Sequence, residues 1–124
     1  MDYVSAPDGP KAIGPYSHGI KANGFLFTSG MVGIDPATND LVTESFEAQA
    51  QRTFKNLAAV LRAAGTDFSR VVKATVYLTD LGNFQTMNAI YAEYFGDHKP
   101  ARTTVEVSKL PKDAGLEIDL VAFV

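Results

Sequence analysis

Two short runs of strand-like residues near the start of the chain predict a β-hairpin. The runs cover residues 16–22 and 25–32, and Asn23 and Gly24 separate them. Asn-Gly is a strong hairpin signal because both residues tolerate the positive φ that a tight turn between two strands requires. The segments on either side are rich in proline, glycine, asparagine and aspartate, which predicts loops there.

Two later segments have apolar residues at the spacing of an amphipathic helix. Residues 45–64 form the first, with Thr43 as a plausible N-cap and Gly65 at the C′ position. Residues 83–95 form the second, which Gly96 ends. Each helix has one apolar side, and we expect that side to cover a sheet.

Three further apolar runs predict strands at residues 71–79, 101–107 and 116–124. The predicted order of elements is therefore ββαβαββ, an α+β fold. Two helices are enough to cover only one face of such a sheet. In the last strand Val121 and Phe123 lie on the face opposite to its main apolar side, which argues against a fully solvated second face. We therefore expect a homo-oligomer in which sheets pack against sheets.

Composition narrows the class of protein. The chain has 124 residues, of which 46% are hydrophobic, and this is enough for a single domain over residues 1–124 with one core. The net charge is −3 and the positive residues are scattered, which disfavours nucleic-acid binding. No apolar run approaches a membrane span, and the polar N-terminus is unlike a signal peptide, so we expect a cytoplasmic protein.

The residue types that bind metals are scarce. There is no cysteine, which excludes thiolate metal sites and cysteine nucleophiles. The two histidines, His18 and His98, are far apart in the sequence and do not belong to any metal-binding spacing. No phosphate-binding loop, dinucleotide fingerprint or nucleophile elbow is present either. The sequence therefore predicts no metal site.

Two charged residues in predicted strands have both structural and functional interpretations. Arg102 shares a face of its strand with Thr104 and Glu106. It is either an edge-strand arginine paired with a nearby acid or an anchor for a carboxylate, which its two parallel N–H donors match. Glu117 is either a solvated acid, the salt-bridge partner of Arg102, or a carboxylate that positions and activates water. Spacing alone leaves these alternatives open and favours the structural interpretation of Glu117.

Other polar residues have ordinary structural interpretations when only the pattern is considered. Tyr16 and Ser29 lie on the first two predicted strands, and Asn88 lies in the middle of the second helix. His18 is expected to have a structural partner of its own. Composition and periodicity therefore predict an oligomeric α+β domain and no specific activity.

Seven short motifs follow one another along nearly the whole chain. In order they are A-I-G-P-Y-S (12–17), F-T-S-G (27–30), N-L-x-x-V-L-x-A-A-G (56–65), V-V-K-A-T-V-Y-L-T-D-L (71–81), F-x-x-M-N-x-x-Y (84–91), P-A-R-T-T-V-E-V (100–107) and L-P-K-D-A-G-L-E-I (110–118). Each motif alone is modest, but the ordered set is highly specific. The chain resembles the Rid/YjgF family of reactive-intermediate deaminases, and within it the RidA branch.

The resemblance implies a chorismate-mutase-like fold, in which a mixed sheet has two helices on one face. It implies a homotrimer whose sheets form a central barrel, with three clefts between subunits. The implied activity is the hydrolysis of 2-imino acids, such as 2-iminobutanoate and 2-iminopropanoate, to 2-keto acids and ammonia. The resemblance implies no cofactor and no metal, and we expect no nucleic-acid or membrane partner.

The resemblance also implies roles for particular residues. Arg102 would hold the substrate carboxylate, and Glu117 would position the water. The residues implied to bind the substrate are Tyr16, Ser29, Gly30, Phe84, Asn88 and Thr104. Thr104 stands where many members have a cysteine, and the loop at residues 96–100 is shorter than in many members. Both departures bear on substrate preference.

Two other functions are associated with such sequences. One is a non-catalytic trimer that binds small carboxylates or acts like a chaperone. The other is a ribonuclease or translation inhibitor, which the negative net charge and the lack of a basic groove disfavour.

Overall fold

The computed structural model describes all 124 residues, which form one mixed β-sheet with two α-helices on one of its faces. The strands are β1 (Asp2–Val4), β2 (Gly19–Ala22), β3 (Phe25–Thr28), β4 (Val71–Leu78), β5 (Ala101–Glu106) and β6 (Leu116–Phe123), and the helices are α1 (Phe46–Ala63) and α2 (Phe84–Phe95). The sheet has the order β1-β2-β3-β6-β4-β5. Strands β4 and β5 are parallel because α2 connects them, and every other pair is antiparallel.

The predicted order of elements is confirmed with one addition at the N-terminus. The sequence pattern did not predict β1, which pairs with β2 in an antiparallel register. This strand has three residues, too few to show an alternating pattern, so only its pairing with β2 reveals it. The predicted hairpin around Asn23 and Gly24 is confirmed, and both residues have positive φ.

The two ends of α1 differ in how well the sequence predicted them. Ser45 is the N-cap, and its hydroxyl accepts a hydrogen bond of 3.0 Å from the Ala48 N–H. The predicted cap at Thr43 was therefore wrong, because serine and threonine both suit the position and the apolar spacing did not separate them. Gly65 follows the helix with a φ of +82°, as expected for a C′ glycine.

The core lies between the helices and one face of the sheet. It is one cluster of 23 buried apolar residues. Phe54 of α1 is at its centre, stacked 4.9 Å from the ring of Tyr94 and edge-on to the ring of Tyr91 at 6.0 Å. Neither helix combines the length and the apolar composition that crossing a membrane requires.

The opposite face of the sheet, called the open face below, has no helix packed on it. The strand register places Phe27 of β3 beside Val121 of β6, and Val105 of β5 beside Tyr77 of β4. Phe27 is 47% exposed and Phe123 is 46% exposed. The expectation that two helices leave apolar side chains uncovered on the second face is therefore confirmed.

We predict that Phe54→Ala lowers the free energy of unfolding by about 3–5 kcal/mol, because it leaves a cavity among the aromatic rings between α1 and α2. Denaturant unfolding measures the change. Lys55→Ala, an exposed substitution on the same helix, is the control and should change that free energy by less than about 0.5 kcal/mol. Equal losses in the two variants would contradict the central place of Phe54 in the core.

Candidate functional site

A cleft of about 550 Å³ lies where β3 ends and β6 begins. Four of the residues singled out in the sequence line it: Tyr16, Ser29, Gly30 and Glu117. The remaining lining residues come from three loops and are Lys11, Ile13, Val32, Ile34, Asn39, Pro111 and Lys112. The cleft therefore combines one carboxylate with two lysines, a serine and a tyrosine.

The carboxylate of Glu117 lies directly against the backbone at Gly30. A Cβ added to Gly30 would be 2.3 Å from Glu117 Oε2 and 2.7 Å from its Cδ. Such distances are far below van der Waals contact, and the obstructing atoms belong to the carboxylate itself. Glycine at position 30 is therefore what allows Glu117 to lie where it does.

The environment of Glu117 favours its protonated form. Burial raises the pKa of this carboxyl above the ordinary value, and the negative charge of Asp119 on the same face of β6 raises it further. Asp119 itself accepts a hydrogen bond of 3.2 Å from the Tyr77 hydroxyl. A carboxyl group with a raised pKa exchanges protons more readily near neutral pH, which is the property of a general acid–base group.

Ser29 presents a hydrogen-bond acceptor to the cleft. Its hydroxyl donates to the backbone carbonyl of Ser17, and its own N–H donates to the carbonyl of His18 at 2.9 Å. Because the hydroxyl proton is already engaged, the oxygen is left to accept a hydrogen bond from an N–H group. Tyr16 lies nearby with half of its surface exposed at the cleft.

Two buried polar residues of α1 that the sequence analysis did not single out hold the cleft wall in place. Asn56 is fully buried, and its Nδ2 donates to the carbonyls of Val32 at 3.0 Å and Ile34 at 2.8 Å. Gln49 Oε1 accepts a hydrogen bond of 2.7 Å from the Gly115 N–H. Polar residues on the apolar side of an amphipathic helix are the sequence signal that would have found them.

The other four predicted site residues lie between α2 and β5, away from this cleft. Arg102 is stacked on aromatic rings, with its guanidinium carbon 4.8 Å from the centre of the Tyr91 ring and 5.7 Å from that of Phe84. No carboxylate lies within 4.0 Å of it, since the single ion pair of the chain joins Arg62 and Asp8. The guanidinium is therefore positioned by the rings while it remains free to bind an anion.

Three polar atoms of α2 and β5 have no hydrogen-bond partner in the chain. They are Asn88 Oδ1, the Tyr91 hydroxyl oxygen and Thr104 Oγ1, and all three are buried. Buried polar atoms are nearly always hydrogen-bonded in folded proteins, so unpaired ones point to a missing ligand, water or partner. Arg102, Phe84, Asn88 and Thr104 together are called the arginine group below.

The arginine group and Glu117 lie on opposite faces of the sheet. Arg102 pairs in register with Ala74, whose side chain is buried on the helix side. Glu117 pairs with Tyr77, which points to the open face. The two charged residues therefore do not meet within one chain, and the interpretation of Glu117 as the salt-bridge partner of Arg102 is wrong there.

The two histidines bond to the backbone. His18 is buried, its Nδ1 accepts a hydrogen bond of 2.9 Å from the Ala6 N–H, and its Nε2 donates to the Pro10 carbonyl at 2.8 Å. This confirms its predicted structural partner. His98 Nε2 lies 2.7 Å from the Val71 carbonyl oxygen. No group of three or more histidine, aspartate or glutamate side chains is close enough to hold a metal ion.

Comparison with known proteins gives consistent family matches. The family model described as endoribonuclease L-PSP matches residues 6–124. A RutC family protein of Pyrococcus horikoshii is 47% identical over 122 residues, which cover 98% of this chain and 97% of that protein. The chloroplastic Reactive Intermediate Deaminase A of Arabidopsis thaliana is 46% identical over 121 residues, which cover 98% of this chain and 65% of that protein.

Solved structures agree with these matches. A protein of the conserved Rid family from Yersinia pestis is 45% identical and superposes with a TM-score of 0.96 over 99% of this chain and 98% of that one. TdcF of Escherichia coli, solved with bound serine, is 35% identical and superposes with a TM-score of 0.94 over 100% of this chain and 99% of that one. The expected chorismate-mutase-like fold is confirmed.

We predict that Glu117→Gln stabilises the protein at neutral pH. The folded state binds the Glu117 proton more tightly than the unfolded chain does, so stability falls as pH rises from the ordinary carboxyl value through the raised one. Glutamine keeps the shape and removes the charge. Thermal unfolding should show a gain in Tm at about pH 7.5 that shrinks at about pH 3, where the carboxyl is protonated in both the folded and the unfolded state.

The control for this titration effect is Glu44→Gln, which changes an exposed carboxylate before α1. Its Tm should differ little from that of the unaltered protein at either pH. A gain from Glu117→Gln that is larger at acidic pH than at neutral pH would contradict the proposed effect of burial and of Asp119.

Proposed function

This chain belongs to the Rid/YjgF family, and we propose that it hydrolyses reactive 2-imino acids, such as 2-iminobutanoate and 2-iminopropanoate, to 2-keto acids and ammonia. The observation that supports this most is the arginine group, in which Arg102 rests on two aromatic rings without an acid partner. A 2-imino acid has a carboxylate next to its reacting carbon, and a guanidinium binds such a carboxylate through two parallel N–H donors.

The cleft supplies what the reacting carbon needs. A protonated imine carbon is already electrophilic, so the protein has to orient water and substrate more than it has to create a strong nucleophile. We propose that the Glu117 carboxylate takes a proton from water as the water oxygen bonds to the imine carbon. Glu117 then gives that proton to the nitrogen of the tetrahedral intermediate. As the carbon–nitrogen bond breaks and ammonia leaves, the hydroxyl group of the intermediate returns its proton to Glu117 and becomes the keto oxygen.

Ser29 and Tyr16 complete the proposed site beside Glu117. The Ser29 oxygen, whose proton is donated to Ser17, is suited to accept a hydrogen bond from the imine N–H. The Tyr16 ring forms one wall, and Gly30 leaves the space that the Glu117 carboxylate occupies. On the other side, Asn88 and Thr104 offer the unpaired polar atoms that a bound substrate or its water would satisfy.

The separation of the two groups supports a site shared between copies of the chain. Arg102 lies on β5, which is one of the two edge strands of the sheet, and Glu117 lies on the open face. We propose a homotrimer in which the apolar open faces pack together and the edge strand of one copy lies beside the cleft of the next. Arg102 of one copy and Glu117 of another then face the same substrate.

A second candidate function is binding of a small carboxylate without turnover. TdcF, a relative whose structure contains serine, favours this alternative, because serine has a carboxylate next to a carbon that bears nitrogen. The same arginine group would hold such a ligand. A measurement of imine hydrolysis separates the two candidate functions, since only a deaminase needs Glu117 to accept and return a proton.

Ribonuclease activity, which the description of the family model names, has little support in this chain. His18 is bonded to backbone groups through both ring nitrogens and His98 through its Nε2, so the chain does not offer a pair of free imidazoles for acid–base chemistry on RNA. The net charge of −3 also opposes binding to a phosphate backbone.

We predict that the purified protein accelerates the loss of 2-imino acids made in place by an amino-acid oxidase, and that Arg102→Ala lowers kcat/KM by roughly a hundredfold because the carboxylate loses its anchor. The kcat/KM of Arg102→Lys should lie between those of the unaltered protein and Arg102→Ala, since lysine keeps the positive charge without the paired donors. The coupled assay is run over several imino acids, and ammonia release is measured. An unchanged rate of imine loss with the protein present would contradict the deaminase.

The matched control for Arg102 is Arg70→Ala. Arg70 also stacks on an aromatic ring, 5.9 Å from the centre of Phe123 on the open face, and it lies outside both proposed halves of the site, so the oligomeric state of the variant is measured beside its activity. Its removal should leave kcat/KM close to that of the unaltered protein. Size-exclusion chromatography with light scattering shows whether each variant keeps its oligomeric state.

We predict that two inactive variants restore activity when they are mixed. Arg102→Ala and Glu117→Ala, unfolded together and refolded as mixed trimers, should regain about a quarter of the unaltered activity, because random assembly puts an intact Arg102 beside an intact Glu117 at one interface in four. Each variant refolded alone is the control. No recovery in mixed trimers would contradict a site shared between copies.

A further inference from the structure

The N-terminal loop that forms one side of the cleft has few polar attachments to the rest of the chain, and Ala6, near its start, is the residue that joins the hydrophobic core. Residues 5–15, called the strap below, lie between β1 and the cleft residue Tyr16, and they contain no helix or strand. Within the strap, Lys11 and Ile13 line the cleft. The strap therefore brings part of the substrate wall into place without belonging to the sheet.

His18 makes both hydrogen bonds that join the strap to the rest of the protein. The backbone hydrogen bonds of the strap are local, from the Gly9 N–H to the Ala6 carbonyl and from the Tyr16 N–H to the Gly14 carbonyl. The imidazole of His18 reaches the Ala6 N–H at 2.9 Å and the Pro10 carbonyl at 2.8 Å. It thus holds two points of the strap that are four residues apart.

The remaining polar attachment of the strap is weak. Asp8 lies 3.7 Å from the Arg62 guanidinium, and both side chains are largely exposed, at 75% and 66%. Exposed ion pairs of this kind contribute little because water and salt screen them. The hydrogen bonds of His18 are different, since its side chain is only 6% exposed.

The backbone of His18 is fixed to the opposite side of the cleft. Its carbonyl accepts a hydrogen bond of 2.9 Å from the N–H of Ser29, and the neighbouring carbonyl of Ser17 accepts one from the Ser29 hydroxyl. His18 therefore bonds to the strap through its side chain and to Ser29, at the end of β3, through its backbone.

We propose that His18 is a positioning residue, which fixes Lys11, Ile13 and Tyr16 relative to Ser29 and Glu117 so that the cleft fits its substrate. This inference rests on the proposed function for the identity of the substrate, while the attachment of the strap is a property of the fold. The two hydrogen bonds require a neutral imidazole with its proton on Nε2, because Nδ1 accepts from the Ala6 N–H. A side chain that offers one acceptor and one donor in a similar place should perform the same task.

Three variants test the proposal. His18→Leu keeps an apolar bulk and removes both hydrogen bonds, whereas His18→Gln supplies an amide oxygen for Ala6 and an amide N–H for Pro10. Asp67→Ala is the control, since it removes a side chain that accepts a hydrogen bond of 2.9 Å from the Ser69 N–H, in a loop outside the proposed site. All three are compared with the unaltered protein in the imine assay and by thermal unfolding.

The expected result is a rise in KM of roughly tenfold or more for His18→Leu and a KM close to the unaltered value for His18→Gln. Asp67→Ala should leave KM unchanged, even if it lowers Tm as much as His18→Leu does. A His18→Leu protein with a KM within about twofold of the unaltered value would overturn the proposal. Equal losses in His18→Leu and His18→Gln would also overturn it, because the hydrogen bonds would then not be the cause.

Two further measurements keep this test independent of the proposed reaction. Hydrogen exchange of the Ala6 amide, measured by NMR, should be faster in His18→Leu than in His18→Gln or Asp67→Ala. The Kd for 2-oxobutanoate, the keto acid product, should rise in His18→Leu alone, whether or not the protein turns over imines. If exchange and Kd are the same in all variants, His18 does not position the strap. If they change as expected while imines are not consumed, only the proposed reaction is wrong.

Discussion

Two helices cover only one face of a six-stranded sheet, and most features of this protein follow from the fact that the other face has no helix on it. The helix side becomes the core, where Phe54 and its aromatic neighbours are buried. The open face keeps Phe27 and Phe123 half exposed. Side chains alternate along a strand, and the strand register places Arg102 on the helix side of the sheet and Glu117 on the open face. A function that needs both residues therefore needs more than one copy of the chain.

The cleft is formed by close packing of polar groups that would be costly in an ordinary core. The Glu117 carboxylate is held against Gly30, partly buried and near Asp119, so its charged form is destabilised. Buried amides of α1 fix the loop that faces it. Such an arrangement gives up some stability at neutral pH for a carboxyl group that is able to accept and return a proton, a trade-off common at functional sites.

Much of the fold was predictable from the sequence, because its elements have strong local signals. Asn23 and Gly24 marked the hairpin, and the apolar spacing marked both helices and three strands. The first strand was missed because its conformation depends on pairing with β2 rather than on its own residues. The cap of α1 was placed at Thr43 instead of Ser45, since both residue types satisfy the same local rule.

The sequence by itself determined which residues are candidates for binding and catalysis, because its motifs and strand alternation single out Arg102, Glu117 and the residues around them. It did not determine which of them share a face, because that depends on strand order and register between segments far apart in the chain. Only the tertiary structure showed that the Glu117 carboxylate lies on Gly30 and that His18 holds the N-terminal strap. Contacts of this kind join residues that no local pattern connects, so the folded chain had to decide them.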